Sequence, residues 1–235
     1  LDQPSSVGAE AYHFVASSLE HSIDADAVKV ILITSPTPGD GKTITAFNVA
    51  IAMSRGGRKV LLVDADERAR GLTKWNKLDD AKGLSDLGNG ITVHDARNSL
   101  PQRTDLSVGI IPAGSRLDAG AGLFRSPEFR YTMTALRDEA DVVIVDSPPV
   151  LAVADALAIA GRCDGVVLVI TQGTSYQVIE DARDRLAMVG TPLLGYVFNR
   201  ARSRGKRNGY GYGYGYGYEP GLPPAATTAI DQSKH

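Results

Sequence analysis

Residues 35–43, SPTPGDGKT, place two glycines, a lysine and a threonine at a spacing that can hold phosphate. A glycine-rich turn that opens a helix presents backbone N–H groups at the positive end of the helix dipole. Gly39, Asp40, Gly41, Lys42, Thr43 and Ile44 form this candidate loop. Lys42 can reach the terminal phosphates of a nucleotide, and the Thr43 hydroxyl can coordinate Mg²⁺. The strict pattern places a glycine six residues before the lysine, where this chain has Pro36. Three aspartates add a second component. Asp64 and Asp66 close the run VLLVDAD, and Asp146 follows VVIV. A carboxylate placed directly after an apolar strand is costly if it is merely buried, and a divalent cation beside it compensates the charge. Singly, each aspartate also reads as a turn or helix-cap residue. Together with a phosphate loop they read as a nucleotide and metal site.

Such a site needs a frame to bring distant segments together. Apolar, β-rich runs recur at 28–34, 59–66, 106–112, 141–149, 164–170 and 192–199. Between them lie segments with helical spacing, notably 42–57, 126–139 and 175–189. The pair Gly56-Gly57 stops the first of these. Strands that are apolar on both faces and alternate with helices indicate a parallel sheet covered on both sides. Right-handed crossovers then line up the strand C-termini along one edge, where open α/β sheets bind ligands. The expected fold is therefore α/β of the P-loop NTPase type, with helices on both faces of a mostly parallel sheet. Residues 1–27 read as a helical lead-in, 1–202 as one domain and 203–235 as a flexible tail.

Composition narrows the function classes. The chain has 235 residues, 43% hydrophobic and 22% charged, with a net charge of −2. That balance gives no reason to expect nucleic acid or an anionic membrane as partner. A single cysteine, Cys163, rules out an internal disulfide framework and suits a reducing compartment. No apolar stretch approaches the ~20 residues needed to span a bilayer. The chain begins at Leu1, not at a methionine, as a piece of a longer protein would.

Five of the nine tyrosines, Tyr210, Tyr212, Tyr214, Tyr216 and Tyr218, alternate with glycine in NGYGYGYGYGYEPG at 208–221. Alone, this stretch reads as a strand with all rings on one face or as a low-complexity segment. With the phosphate site it gains a third meaning. The chain resembles the bacterial tyrosine kinases that accompany capsular and exopolysaccharide synthesis. SPTPGDGKT is similar to their Walker A motif, VLLVDADERAR to their Walker A′ and VVIVDSPPV to their Walker B. GLSD at 83–86, DGVVLVITQGTSY and GYVFNR fall where that family has similar segments, and the tail resembles its autophosphorylated tyrosine cluster.

The resemblance implies phosphoryl transfer from Mg-ATP to tyrosine. It assigns Lys42 to the β- and γ-phosphates, Thr43, Asp66 and Asp146 to Mg²⁺, and Asp64 to the incoming tyrosine hydroxyl. Asn199 is expected at the adenine or simply in a turn, and Arg68 at phosphate, at a neighbouring subunit or in solvent. The basic stretch 200–208 is a solvated linker or an anion contact. Tyr12, Tyr131, Tyr176 and Tyr196 fall in ordered segments and read as structural. The implied partners are a transmembrane polysaccharide co-polymerase that activates the enzyme, fused or separate, and a tyrosine phosphatase. The implied location is the cytoplasmic face of the membrane. The chain departs from the family at Glu10-x-x-His13-x-x-Ala16, where arginines usually follow the glutamate and support ring assembly. A weakened homo-oligomer is the expected consequence. The stretch 117–124, LDAGAGLF, also departs from the family pattern. The alternative is a partition or septum-site ATPase acting as a nucleotide-dependent dimer switch. Those enzymes carry a lysine early in the loop, where this chain has Thr37.

Overall fold

The computed structural model describes residues 7–22, 29–87, 91–99, 106–115 and 120–201. The chain divides into two units, Leu1–Arg202 and Ser203–His235, and every described element belongs to the first. The tyrosine cluster and most of the basic stretch before it lie outside the described residues.

Each of the six apolar runs contains a strand: β1 (Val30–Thr34), β2 (Val60–Asp64), β4 (Val108–Ile111), β5 (Val142–Asp146), β6 (Gly165–Thr171) and β7 (Leu193–Asn199). The sheet has seven strands in the order β3-β4-β2-β5-β1-β6-β7. All pairings are parallel except that of the two-residue β3 (Asn98–Ser99) with β4. The fold is the expected mostly parallel sheet with helices on both faces.

The strands are apolar at successive positions because both faces are covered. Val30, Leu32, Leu61, Val63, Val143, Val145, Val166 and Leu168 point into one core. It is closed by α5 (Pro127–Asp138), α6 (Asp155–Ala160) and α7 (Tyr176–Ala187), through residues such as Phe129, Leu136, Ile159 and Leu186. Ile31, Ile33, Val60, Leu62, Val142, Ile144, Val167 and Val169 point into the other. That core is closed by α1 (Val7–Ser22), α2 (Lys42–Arg55) and α3 (Gly71–Trp75), through residues such as Leu19, Val49, Met53 and Leu72. At about 1.5–3 kcal/mol for each buried branched side chain, these two layers fix the strand register.

The lead-in helix is α1, and it packs on α2. Ala16, one of the positions where an arginine was expected, is buried in this second core, and His13 faces the seam with Asn48, Ile51 and Arg55. Three other expectations need correction. Tyr131 on α5 and Tyr176 at the start of α7 are 74% and 73% exposed, so neither packs into the core. Tyr196, on the edge strand β7, is also exposed. Three short helices went unforeseen: α3, α4 (Val93–Ala96) and α6. No helix among the described residues is long and apolar enough to cross a membrane.

Candidate active site

Because the strands are parallel, the ends of β2, β5, β1, β6 and β7 meet along one edge in that order. Register sets Asp64 directly opposite Asp146 on the neighbouring strand, and Asp146 opposite Ile33 of β1. The phosphate-type loop leaves β1 between them and the ends of β6 and β7.

The loop is held by its own side chains. Asp40 Oδ2 accepts from Thr37 N and Thr37 Oγ1, at 2.9 and 2.8 Å, and Ser35 Oγ donates to the Thr37 carbonyl. Thr37, where the partition ATPases have a lysine, thus staples the loop. Gly39 and Gly41 have φ of 85° and 93°, the left-handed region that favours glycine. A Cβ on Gly39 would meet nothing within 4 Å, so the loop has open space on that side. Helices α5 and α7 are capped by Ser126 and Ser175, whose hydroxyls accept from the backbone. Helix α2 is capped by Gly41, which offers no side chain, and its first turn carries no acid. Its N–H groups are free of any competing side-chain cap, the arrangement that binds anions.

Lys42 Nζ lies 3.1 Å from Asp66 Oδ2, with both side chains nearly buried. Asp66 Oδ1 accepts from Ala69 N. Asp64 is fully buried; its Oδ2 accepts from Thr73 N and Thr73 Oγ1, both at 2.8 Å, and its Oδ1 accepts from Asp66 N at 3.2 Å. Burial raises the Asp64 pKa, and the Thr73 bonds oppose that shift. Asp146 is different. It is fully buried, and neither carboxylate oxygen has a hydrogen-bond partner. Burial pushes its pKa up to about 8 against the pull of Lys42, while the Asp64 charge adds to the rise. Thr43 stands close enough to favour the charged form, though without a hydrogen bond of good geometry.

An orphaned buried carboxylate beside a hydroxyl and an ammonium fits a divalent cation held jointly by protein and phosphate oxygens. Among the described residues no cluster of three or more His, Cys, Asp or Glu side chains could hold a metal alone. That is the usual situation for Mg²⁺, which takes one or two protein ligands and leaves the rest to substrate and water. The segment after Asp146 is pinned to the loop: Ser147 N donates to Ile33 O, Val150 N to Ser35 O, and Thr34 Oγ1 to Pro148 O.

The structure gathers Lys42, Thr43, Asp64, Asp66 and Asp146, and it adds residues that motif reading passed over. Thr73 locks Asp64 and, through its own hydroxyl, accepts from Ala113 N at 2.9 Å. Glu67 is half-buried with an unpartnered Oε1, and burial followed by the Asp155 charge raises its pKa to about 7. Arg68 is mostly exposed and lies 3.5 Å from Asp155. Asn199 turns inward: its Nδ2 donates to the Asp40 carbonyl at 2.9 Å and its Oδ1 accepts from Arg200 N at 2.8 Å.

A parallel sheet carrying a phosphate loop and strand-end aspartates defines a P-loop nucleotide-binding protein. The AAA domain family model matches residues 28–180. Tyrosine-protein kinase YwqD of Bacillus subtilis is 32% identical over 85% of this chain and 84% of its own length. The kinase domain of the Escherichia coli tyrosine kinase ETK superposes with a TM-score of 0.79 at 25% identity, over 91% of this chain and 84% of that one. The cell division ATPase MinD of Pyrococcus furiosus is more distant, with a TM-score of 0.62 at 26% identity over 73% and 72%. The chain belongs to the bacterial tyrosine-protein kinase family, within the AAA-domain nucleotide-binding proteins.

Proposed function

We propose that this chain uses ATP and Mg²⁺ to phosphorylate tyrosine, and that Tyr210, Tyr212, Tyr214, Tyr216 and Tyr218 of its own sequence are acceptors. The observation that carries the reading is the Lys42–Asp66 pair set beside the unpartnered Asp146 on a loop with a free helix N-terminus. Phosphoryl transfer demands mostly positioning and charge neutralisation, and these groups supply both. Lys42, now paired with Asp66, turns to the β- and γ-phosphates. The Gly39–Thr43 amides cradle the same oxygens, and Ile44 adds its backbone N–H. Thr43, Asp66 and Asp146 would hold Mg²⁺, which neutralises charge on the triphosphate when bound. Asp64 orients the phenol and takes its proton as the oxygen bonds to the γ-phosphorus and the β–γ bridge breaks, releasing ADP. A phenol has a pKa near 10, so a base of raised proton affinity suits it. Oδ1 of Asp64, held only by the 3.2 Å bond from Asp66 N, is the oxygen open to exchange.

The proposal extends to context. Family membership supports a role in capsular or exopolysaccharide synthesis, with activation by a transmembrane polysaccharide co-polymerase and reversal by a tyrosine phosphatase. Such a chain works at the cytoplasmic face of the membrane, with no nucleic acid as partner. Incubation of the purified protein with Mg-ATP, followed by a phosphotyrosine immunoblot, tests the core of the reading. Wild type should be labelled, and Lys42→Met should lose the label while keeping its fold by circular dichroism. A folded Lys42→Met protein with full labelling would sink the assignment.

A further inference from the structure

We infer that Asn199 is a positioning residue of the phosphate loop, and that it ties the loop to the point where the chain leaves the core. The inference rests on the nucleotide-binding reading above. The Asp40 carbonyl receives two side-chain donors from two strands: Asn199 Nδ2 at 2.9 Å from β7, and Thr171 Oγ1 at 3.3 Å from β6. The peptide unit is planar and trans, so fixing this carbonyl fixes the Gly41 N–H on the opposite side of the plane. That N–H belongs to the loop that cradles phosphate. Gly41 is required twice over. Its φ is 93°, and a Cβ there would collide with Asn199 Nδ2.

The orientation of the Asn199 amide is not ambiguous, because Asp40 O can only accept and Arg200 N can only donate. Its backbone is also held, with Gln172 N donating to Asn199 O at 3.1 Å. Arg200 sits at φ 55°, a left-handed conformation that non-glycine residues seldom adopt, with its N–H bonded to Asn199 Oδ1. One side chain therefore joins the phosphate loop to the first residue beyond the sheet.

The distinguishing measurement is calorimetric titration of the full chain with Mg-ATP and with inorganic tripolyphosphate, which has no base. Asn199→Asp keeps the shape but sets a carboxylate against the Asp40 carbonyl. It should weaken both ligands by a similar factor, about tenfold, as expected for one lost hydrogen bond. Thr171→Val removes the second donor and should weaken both about two- to threefold, again equally. If Asn199→Asp fails to fold, Thr171→Val decides alone. A loss confined to ATP, with tripolyphosphate unchanged, would mean that Asn199 reads the base, and the inference would be wrong. Unchanged affinity for both ligands would also overturn it. Wild type that binds both ligands yet labels no tyrosine would defeat the kinase reading and leave the clasp standing. Wild type that binds neither would defeat both.

Discussion

A buried carboxyl group with no hydrogen-bond partner holds its proton, and the pH dependence of stability follows. Asp146 has a folded-state pKa of about 8 against 3.8 for the ordinary group. Between those values the folded chain binds a proton that the unfolded chain has released, so stability falls as pH rises through that window. At about 1.36 kcal/mol per pK unit, the ceiling is on the order of 6 kcal/mol. Asp146→Asn should therefore be more stable than wild type at pH 7, with a flatter profile from about pH 4 to 8. Mg-ATP should narrow the gap by stabilising wild type more than the variant, because a bound cation compensates the charge. Thermal melts across pH check this, and parallel profiles for the two proteins would show that Asp146 is charged and compensated within the chain. The three aspartates were legible in the sequence because each ends an apolar run, where a charge needs a reason. Thr73 and Thr171 were not. Thr73 lies in a helix too short to carry a period and Thr171 reads as one more strand residue, and their partners Ala113 and Asp40 lie 40 and 131 residues away. Asn199 was visible as a strand end, but nothing in its neighbours indicated the Asp40 carbonyl.

At the scale of elements, the six parallel strands were legible because burial on both faces leaves continuous apolar runs. The antiparallel β3 and the helices α3 and α4 were not, because two to five residues carry no period. Helix α1 is the instructive case. Its sequence marks two missing arginines, but only packing shows what Ala16 does instead. That residue is 5% exposed within the core shared with α2. Ala16→Arg would restore the family pattern, yet it would push a long charged side chain into a filled seam. The cost should be roughly 2 kcal/mol or more. For a domain of this size that lowers Tm by about 4–8 °C. Differential scanning calorimetry measures the shift, and light scattering should find no stable ring in either protein at micromolar concentration. An Ala16→Arg protein with unchanged Tm and a defined ring would mean that α1 swings out to serve an interface.

For the whole molecule the open matter is whose site receives the tyrosines. The last strand ends at Asn199 on β7, and Asp64 and Asp66 follow β2, four strands away in the sheet order. At ~4.8 Å per strand that separation is about 19 Å. An attacking hydroxyl must approach in line with the breaking β–γ bond, which with Asp64 as the proposed base means from the β2 side. With Asp64 as the proposed base, the chain's own tail has that separation to cover before its tyrosines reach the site. The ~10–18 residues from Asn199 to the tyrosines span at most roughly 35–60 Å, so the first of them, Tyr210, is the least able to cover it. A second copy's tail is not tied to that starting point, and phosphorylation in trans is the expected route. Each phosphate adds about −1.5 to −2, so five bring roughly −8 to −10 to a chain of net charge −2. A fully modified tail should be repelled from a site already holding three aspartates and a triphosphate, and less so in high salt. The decisive experiment mixes a Lys42→Met protein with one truncated before Ser203. The first has acceptors without activity and the second has activity without acceptors, so label should appear on the Lys42→Met chain. Wild type should also label itself faster per molecule as its concentration rises. If the Lys42→Met chain stays unlabelled while wild type labels at a rate independent of concentration, the tail serves its own site. In that case Tyr212–Tyr218 should carry the label ahead of Tyr210.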